Sequence, residues 1–343
     1  MSAARTAAGG PPGIGRGATL AALLATLSAF LGSAGAQELA VVSQQGARVS
    51  RIAAGALSAA VAVAPAPAVV AADAGGRLYV SHPDGHAITV VEPDGALRRL
   101  PFAGQAFGLA VEPDGRAIYV GDWSGNRVAR LSAATGAVEA AVDVGRDPAG
   151  LVLGADGRLY VAERESRSVG IIDTGRMERV ASLPVGDGPF ALAHDPVRQR
   201  LYVANVRSND VTVIDAAAAR VLGRVTVGAS PYGVAVSGDG ARVLVTNQHA
   251  ASVSVIDAAA LSVVATVPVG RYPEGVALLG TRAYVANWFS DDVSVIDLDS
   301  QRAMGRIPVA EGPRTIVALP PAGTSAGPAA GAAAGTAAEG RSR

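Results

Sequence analysis

The 343-residue chain contains no cysteine. That excludes disulfides, thiolate metal sites, a cysteine nucleophile and haem attached through Cys-x-x-Cys-His. Lysine is absent too, so every basic side chain is an arginine, and 29 basic residues balance 29 acidic ones. A balanced chain has no general electrostatic drive towards nucleic acid or an anionic membrane, although a local arginine patch can still form. Aromatic residues make up only 4% of the chain and there are 4 histidines. Beyond the N-terminal region no stretch is long and apolar enough to cross a bilayer. The repeated part described next carries neither a nucleophile elbow nor a strand-to-helix phosphate loop.

What the chain does have is repetition. Leu78-Tyr79-Val80-Ser81 recurs as Ile118-Tyr119-Val120-Gly121, Leu159-Tyr160-Val161-Ala162, Leu201-Tyr202-Val203-Ala204, Val243-Leu244-Val245-Thr246 and Ala283-Tyr284-Val285-Ala286. The steps between second residues are 40, 41, 42, 42 and 40. A period in the low forties made of strands means propeller blades, because a four-stranded sheet cannot bury both of its faces alone. One unit reads from Tyr232 to Val269: Gly233–Val236, a Gly238-Asp239-Gly240 turn, Arg242–Thr246, Ser252–Ile256, an Asp257-Ala258-Ala259 turn and Leu261–Val269. Four strands per unit leave no room for a helix. Gly108, Gly150, Gly233 and Gly275 open innermost strands, where a crowded central channel calls for small residues.

Leu39-Ala40-Val41-Val42 is a degenerate copy one period before the first, which makes seven second strands. First strands also number seven, from Val69-Val70-Ala71 to Thr315-Ile316-Val317-Ala318. The expected fold is therefore all-β: a seven-bladed propeller of four-stranded antiparallel blades, over residues 37–320. Its ring closes when the C-terminal first strand joins the blade that the N-terminus began, so no seam is left unpaired.

Two flanks stand outside the repeat. Arg5 and Arg16 precede an apolar run from Ala18 to Leu31, followed by Ala34-Gly35-Ala36. This is the pattern of a cleaved secretory signal over residues 1–36, and the run is shorter than the ~20 residues of a membrane span. Removing it leaves 27 basic and 29 acidic residues. The mature protein is expected in the periplasm or secreted, as a monomer. Residues 321–343 are mostly Ala, Gly, Ser and Thr with little to bury, and read as a disordered tail.

Tyr-Val-Ala-Asn at Tyr202–Asn205 and Tyr284–Asn287, Val-Ser-Val-Ile-Asp at Val253–Asp257 and Val293–Asp297, and Pro268-Val269-Gly270 followed by Pro273 together resemble the YVTN repeat of bacterial and archaeal β-propellers. The resemblance covers roughly residues 39–319. It implies a propeller fold and export. Members of that family include proteins of unassigned role, surface-layer proteins and relatives of amine-dehydrogenase heavy chains and lactonases, so it does not choose an activity. The tryptophan-centred repeats and vicinal cysteines of quinone-cofactor propellers are missing.

Two columns of residues fall where propellers open their channel. The first ends each second strand: Ser43, His82, Asp122, Glu163, Asn205, Asn247 and Asn287. Such a ring reads either as oxygen and nitrogen ligands for a hard cation or polar molecule, or as side chains that tie down their own loops. His82, Asp122 and Glu163 break the Asn pattern on consecutive blades and are ligand-site candidates. The second column opens each first strand: Ala66, Phe107, Ala149, Phe190, Tyr232, Glu274 and Arg314. Phe107, Phe190, Tyr232, Glu274 and Arg314 would give an apolar wall with a few fixed polar groups, the make-up of a small-molecule site; the plainer alternative is a Glu274–Arg314 ion pair that pins two blades. Trp288 and Phe289 are candidates for a partner surface. His82 and His86 are a weak metal pair, so no metal or other cofactor is expected, a divalent cation being the secondary reading.

The leading functional expectation is an exported scaffold that binds a small molecule or a periplasmic protein through its upper loops without turnover. One alternative is a lactonase- or lyase-like enzyme using His82, Asp122, Glu163 or Glu274, with Arg314 or a metal as electrophile. Another is a binder of single-stranded nucleic acid through Arg271, Arg314 and stacking aromatics, which the charge balance disfavours.

Overall fold

A computed structural model describes residues 38–320. The signal sequence expected at 1–36 and the tail expected at 321–343 lie outside the described residues. The described part is seven four-stranded antiparallel sheets. From the channel outwards, blade 1 runs Pro313–Ala318, Glu38–Ser43, Arg48–Ala53 and Ala56–Ala62. Blades 2 to 7 each run in chain order, and their inner strands are Val70–Ala72, Ala106–Val111, Pro148–Leu153, Pro189–Asp195, Pro231–Val236 and Pro273–Leu279. Each inner strand touches the next around a complete ring.

The closure expected from the strand count is present. Pro313–Ala318 pairs antiparallel with Glu38–Ser43, placing Val41 opposite Ile316 and Leu39 opposite Ala318. The two ends of the repeat thus share one sheet, and the ring has no open edge. Between blades the apolar faces meet; Leu39, Val41 and Ile316 of blade 1, for example, pack with Tyr284, Ala286 and Val293 of blade 7. Second and third strands, such as Leu201-Tyr202-Val203-Ala204, are buried on both faces, which is why their apolar residues do not alternate.

The repeated tyrosine has a second role. Its ring is buried between blades, and in blades 2 and 3 its hydroxyl reaches the turn at the lower end of the sheet: Tyr79 Oη donates to Asp73 at 3.0 Å and Tyr119 Oη to Glu112 at 2.8 Å. Each such bond joins the turn to the core and contributes about 1 kcal/mol.

The inner-strand glycines answer to a tighter constraint than channel width. A Cβ on Gly108, Gly150 or Gly233 would run into the backbone carbonyl of Ala149, Phe190 or Glu274 on the neighbouring inner strand. On Gly275 it would stand 2.7 Å from the Arg314 carbonyl oxygen. Glycine there sets how closely one blade follows the next.

Candidate functional site

The loops after the second strands and the loops between blades share the upper face and are stitched together. In six blades the residue after the second strand donates its amide to the loop entering the inner strand: Gln44 to Gly312, Trp123 to Gln105, Arg164 to Asp147, Val206 to Gly188, Gln248 to Ser230 and Trp288 to Tyr272; in blade 2 that residue is Pro83, which has no N–H. This pairing positions the mouth of the channel.

The polar column at the second-strand ends turns away from that mouth. Ser43, His82, Glu163, Asn205, Asn247 and Asn287 are fully buried, and Asp122 is nearly so. Asn205 Nδ2 donates to Asp210 and Thr212, Asn247 Nδ2 to Ser252 and Ser254, and Asn287 Nδ2 to Asp292 and Ser294. Glu163 accepts from the Gly145 amide, the Ser168 hydroxyl and the Arg179 guanidinium, the last at 2.7 Å. Asp122 accepts from the Gln105 and Gly125 amides and from Arg127. Both ring nitrogens of His82 are engaged, by the Pro65 carbonyl and the Thr89 hydroxyl, and burial holds its pKa below the ordinary histidine value. His82, Asp122 and Glu163 therefore belong to the hydrogen-bonding of their own blades, and the structure does not bring them to the channel mouth. Among the described residues no three His, Cys, Asp or Glu side chains converge as a metal site.

The inner-strand column does converge. Phe107, Phe190, Tyr232 and Glu274 line a cavity of about 220 Å³ on the channel axis, walled below by Leu109, Leu151, Leu192, Val234, Val276 and Ile316. In blade 2 the matching position is Ala68, after Pro67, rather than Ala66, which occupies the preceding left-handed turn at φ 52°. Phe107 meets Phe190 edge-on at 5.8 Å, and Phe190 lies against Tyr232 at 4.1 Å between ring centres.

Arg314 closes this arc. Its Nη2 donates to Tyr232 Oη at 2.9 Å, its Nη1 to Gln44 Oε1 at 3.1 Å, and its Nε stands 3.4 Å from Glu274 Oε2. The guanidinium carbon also lies 5.5 Å from the Phe107 ring centre and 5.8 Å from that of Trp288, within cation–π range. Glu274 Oε1 accepts from Gln248 Nε2 at 3.0 Å, whereas Oε2 has no hydrogen-bond donor. Burial dominates and pushes the Glu274 pKa up to about 7, against the opposing pull of Arg314 and Gln248. Burial, then the Glu274 charge, also raises the Tyr232 phenol above its ordinary range.

A third column reaches the mouth: the residue just after the buried polar one, hence Gln44, Trp123, Arg164, Gln248 and Trp288. Trp123 packs on Phe107 at 4.7 Å, and Arg164 lies 5.9 Å over Trp123. Of these only Trp288 is a residue the sequence reading nominated. The signal was nonetheless present: where one residue points into its blade, its successor points the other way. Phe289 turns outward, 53% exposed, and packs at a tilt against Tyr272, 4.9 Å between ring centres. No helix of the described residues is long and apolar enough to cross a membrane.

Residues 153–287 match the model of the cytochrome D1 heme domain family. No curated protein matches the chain. Among solved structures, Kuenenia stuttgartiensis hydrazine synthase superposes with a TM-score of 0.67 at 22% identity, covering 73% of this chain and 89% of that one. The dihydro-heme d1 dehydrogenase NirN, solved in complex with DHE, gives 0.62 at 16% identity, covering 81% and 74%. Virginiamycin B lyase from Staphylococcus aureus gives 0.65 at 14%, covering 74% and 92%. The channel residues do not fit a haem: about 220 Å³ is smaller than ordinary cofactor pockets, no His, Met or Cys lines it, and Tyr232, whose phenol could ligate iron, is held by Arg314. Of the histidines on the upper face, His249 is exposed and bonds Ser230 through Nδ1, and His86 bonds the Gly104 carbonyl. What these solved structures share with the chain is the propeller fold, and over residues 153–287 the chain is similar to the cytochrome D1 heme domain.

Proposed function

We propose that the protein is an exported propeller that binds a small molecule at the upper mouth of its channel and carries out no chemistry on it. The observation that carries this reading is the arc of Phe107, Phe190 and Tyr232 around a cavity of about 220 Å³, bridged by the Arg314–Glu274 pair. An apolar wall with a few fixed polar groups gives a ligand buried area together with orientation. The cavity exceeds the roughly 150 Å³ that accommodates benzene, so one ring system fits. Export rests on the arginine-flanked apolar run from Ala18 to Leu31 and the small residues after it. The test is thermal unfolding with a panel of lactones, amines, sugars, peptides, aromatic acids and divalent cations. A ligand that raises the midpoint of the native protein and of neither Phe190→Ala nor Arg314→Ala supports the reading.

One observation favours a second reading, an enzyme of the lyase or lactonase kind on the same face. Glu274 has an oxygen that accepts no hydrogen bond and is held only by its ion pair with Arg314, and a pKa near neutrality, the condition of a general base. His82, Asp122 and Glu163 are committed elsewhere, so Glu274 would carry that chemistry with Arg314 as its electrophilic partner. Turnover of a bound ligand that Glu274→Gln abolishes while binding persists would favour this reading over the first.

A further inference from the structure

Arg164 is unlike the other arginine at the mouth. Arg314 has an assigned partner for each of its three nitrogens, including one carboxylate. Among the described residues the Arg164 side chain pairs with no carboxylate, and its buried Nε has no acceptor at all. Its neighbours on either side are satisfied without it: Glu163 binds Arg179, and Glu165 binds Arg207. What Arg164 does have is an aromatic face, the Trp123 ring at 5.9 Å, which continues through Phe107 to Phe190. In its own blade the inner strand offers only Ala149, so no bulky side chain of that strand lies at this point of the mouth.

A half-buried guanidinium with no paired carboxylate is costly, and cation–π contact returns only part of that cost. A carboxylate arriving from outside would supply two acceptors in the fork geometry that a guanidinium matches best. The aromatic floor lies beside it, and the cavity is of single-ring size.

We propose that the ligand of the mouth is an aromatic carboxylate, its carboxyl group on Arg164 and its ring on Trp123, Phe107 and Phe190. This deepens the binding reading above and rests on it. Arg314 then acts as the fixed far wall, its three nitrogens already held by Gln44, Tyr232 and Glu274, and selectivity for the anion comes from Arg164. The opposite charges on the upper face near this point are Glu165, which Arg207 holds, Asp147, one residue before blade 4, and Asp187, which faces Arg207; none pairs with Arg164.

The test is isothermal titration calorimetry of residues 37–343 with benzoate and indole-3-acetate, with benzamide as neutral isostere, benzylamine as cation, and acetate as a carboxylate without a ring. The aromatic acids are expected to bind, and the amide, the amine and acetate to bind at least about tenfold more weakly, the worth of one charge-assisted contact. Arg164→Gln should remove that preference without lowering the unfolding midpoint, and Arg164→Lys should restore part of it. Amide or amine binding as tightly as acid, or acid binding unchanged in Arg164→Gln, overturns the assignment. If such binding is still lost in Phe190→Ala, the mouth remains the ligand site and only its chemistry was misassigned. Binding by none of the probes overturns the assignment as well, and the broader unfolding panel then decides whether the mouth binds anything.

Discussion

Arg314 on the closing strand of the ring donates from Nη2 to the phenol oxygen of Tyr232, 2.9 Å away and 82 positions earlier in the chain. The bond spans the channel mouth from blade 1 to blade 6. With Glu274 of blade 7 between them, three consecutive inner strands meet in one polar cluster beside the blade that closes the ring.

Removing Arg314 should therefore cost more than a surface arginine would. Arg314→Met leaves the Glu274 carboxylate buried without its counter-charge, a change worth about 3 kcal/mol when both groups are ionised. Glu274→Gln in the same chain should recover much of that loss. Chemical denaturation of the two single variants and the double variant at pH 8 checks this through the coupling energy.

Glu274 makes stability fall as pH rises. Its folded pKa of about 7 lies above the ordinary 4.5, so the folded state holds this proton more tightly than the unfolded state. The contribution is fully present below pH 4.5 and is lost as pH climbs through 7. It amounts to about 3 kcal/mol, at roughly 1.4 kcal/mol per unit. Denaturation measured from pH 4.5 to 8 should show this decline in the native protein and not in Glu274→Gln, and parallel curves would refute it.

The inner-strand glycines should tolerate no side chain. Gly233→Ala and Gly275→Ala each push a methyl into the backbone of the next inner strand, at a cost of about 1–3 kcal/mol or more. Gly223, on an outer strand with nothing near its missing Cβ, is the control. Unfolding midpoints of the three variants compare the sites directly.

The buried polar column should govern stability and leave binding alone. Asn287→Ala removes two donors, to Asp292 at 2.7 Å and Ser294 at 2.9 Å, and should cost about 1–3 kcal/mol. Ligand affinity at the mouth should not change. A variant that lost affinity while keeping its stability would return this column to the binding site.

The blade count, the strand order and the ring closure were legible in the sequence because a period in the low forties admits few other arrangements, and because first and second strands could be counted separately. The inner-strand column was legible for the same reason, with one slip: in blade 2 the spacing is disturbed by two prolines, Pro65 and Pro67, and the equivalent residue is Ala68 rather than Ala66. The direction of the second-strand ends was harder to read. His82, Asp122 and Glu163 look like departures from a pattern, yet each does in its blade what asparagine does in others, and only the hydrogen bonds reveal the equivalence. Arg164 and Gln248 escaped notice because their roles depend on contacts with neighbouring blades, which no single repeat encodes.

The most direct test of the mouth as the ligand site is hydrogen–deuterium exchange of the protein with and without a ligand found by the unfolding panel. The account predicts added protection in peptides covering Ala106–Val111, Pro189–Asp195, Pro231–Val236, Pro273–Leu279 and Pro313–Ala318, together with the loops at Trp123 and Arg164. Protection confined to the opposite face, at the turns around Asp195 and Asp239, or to the exposed Phe289 and Tyr272 alone, would contradict it.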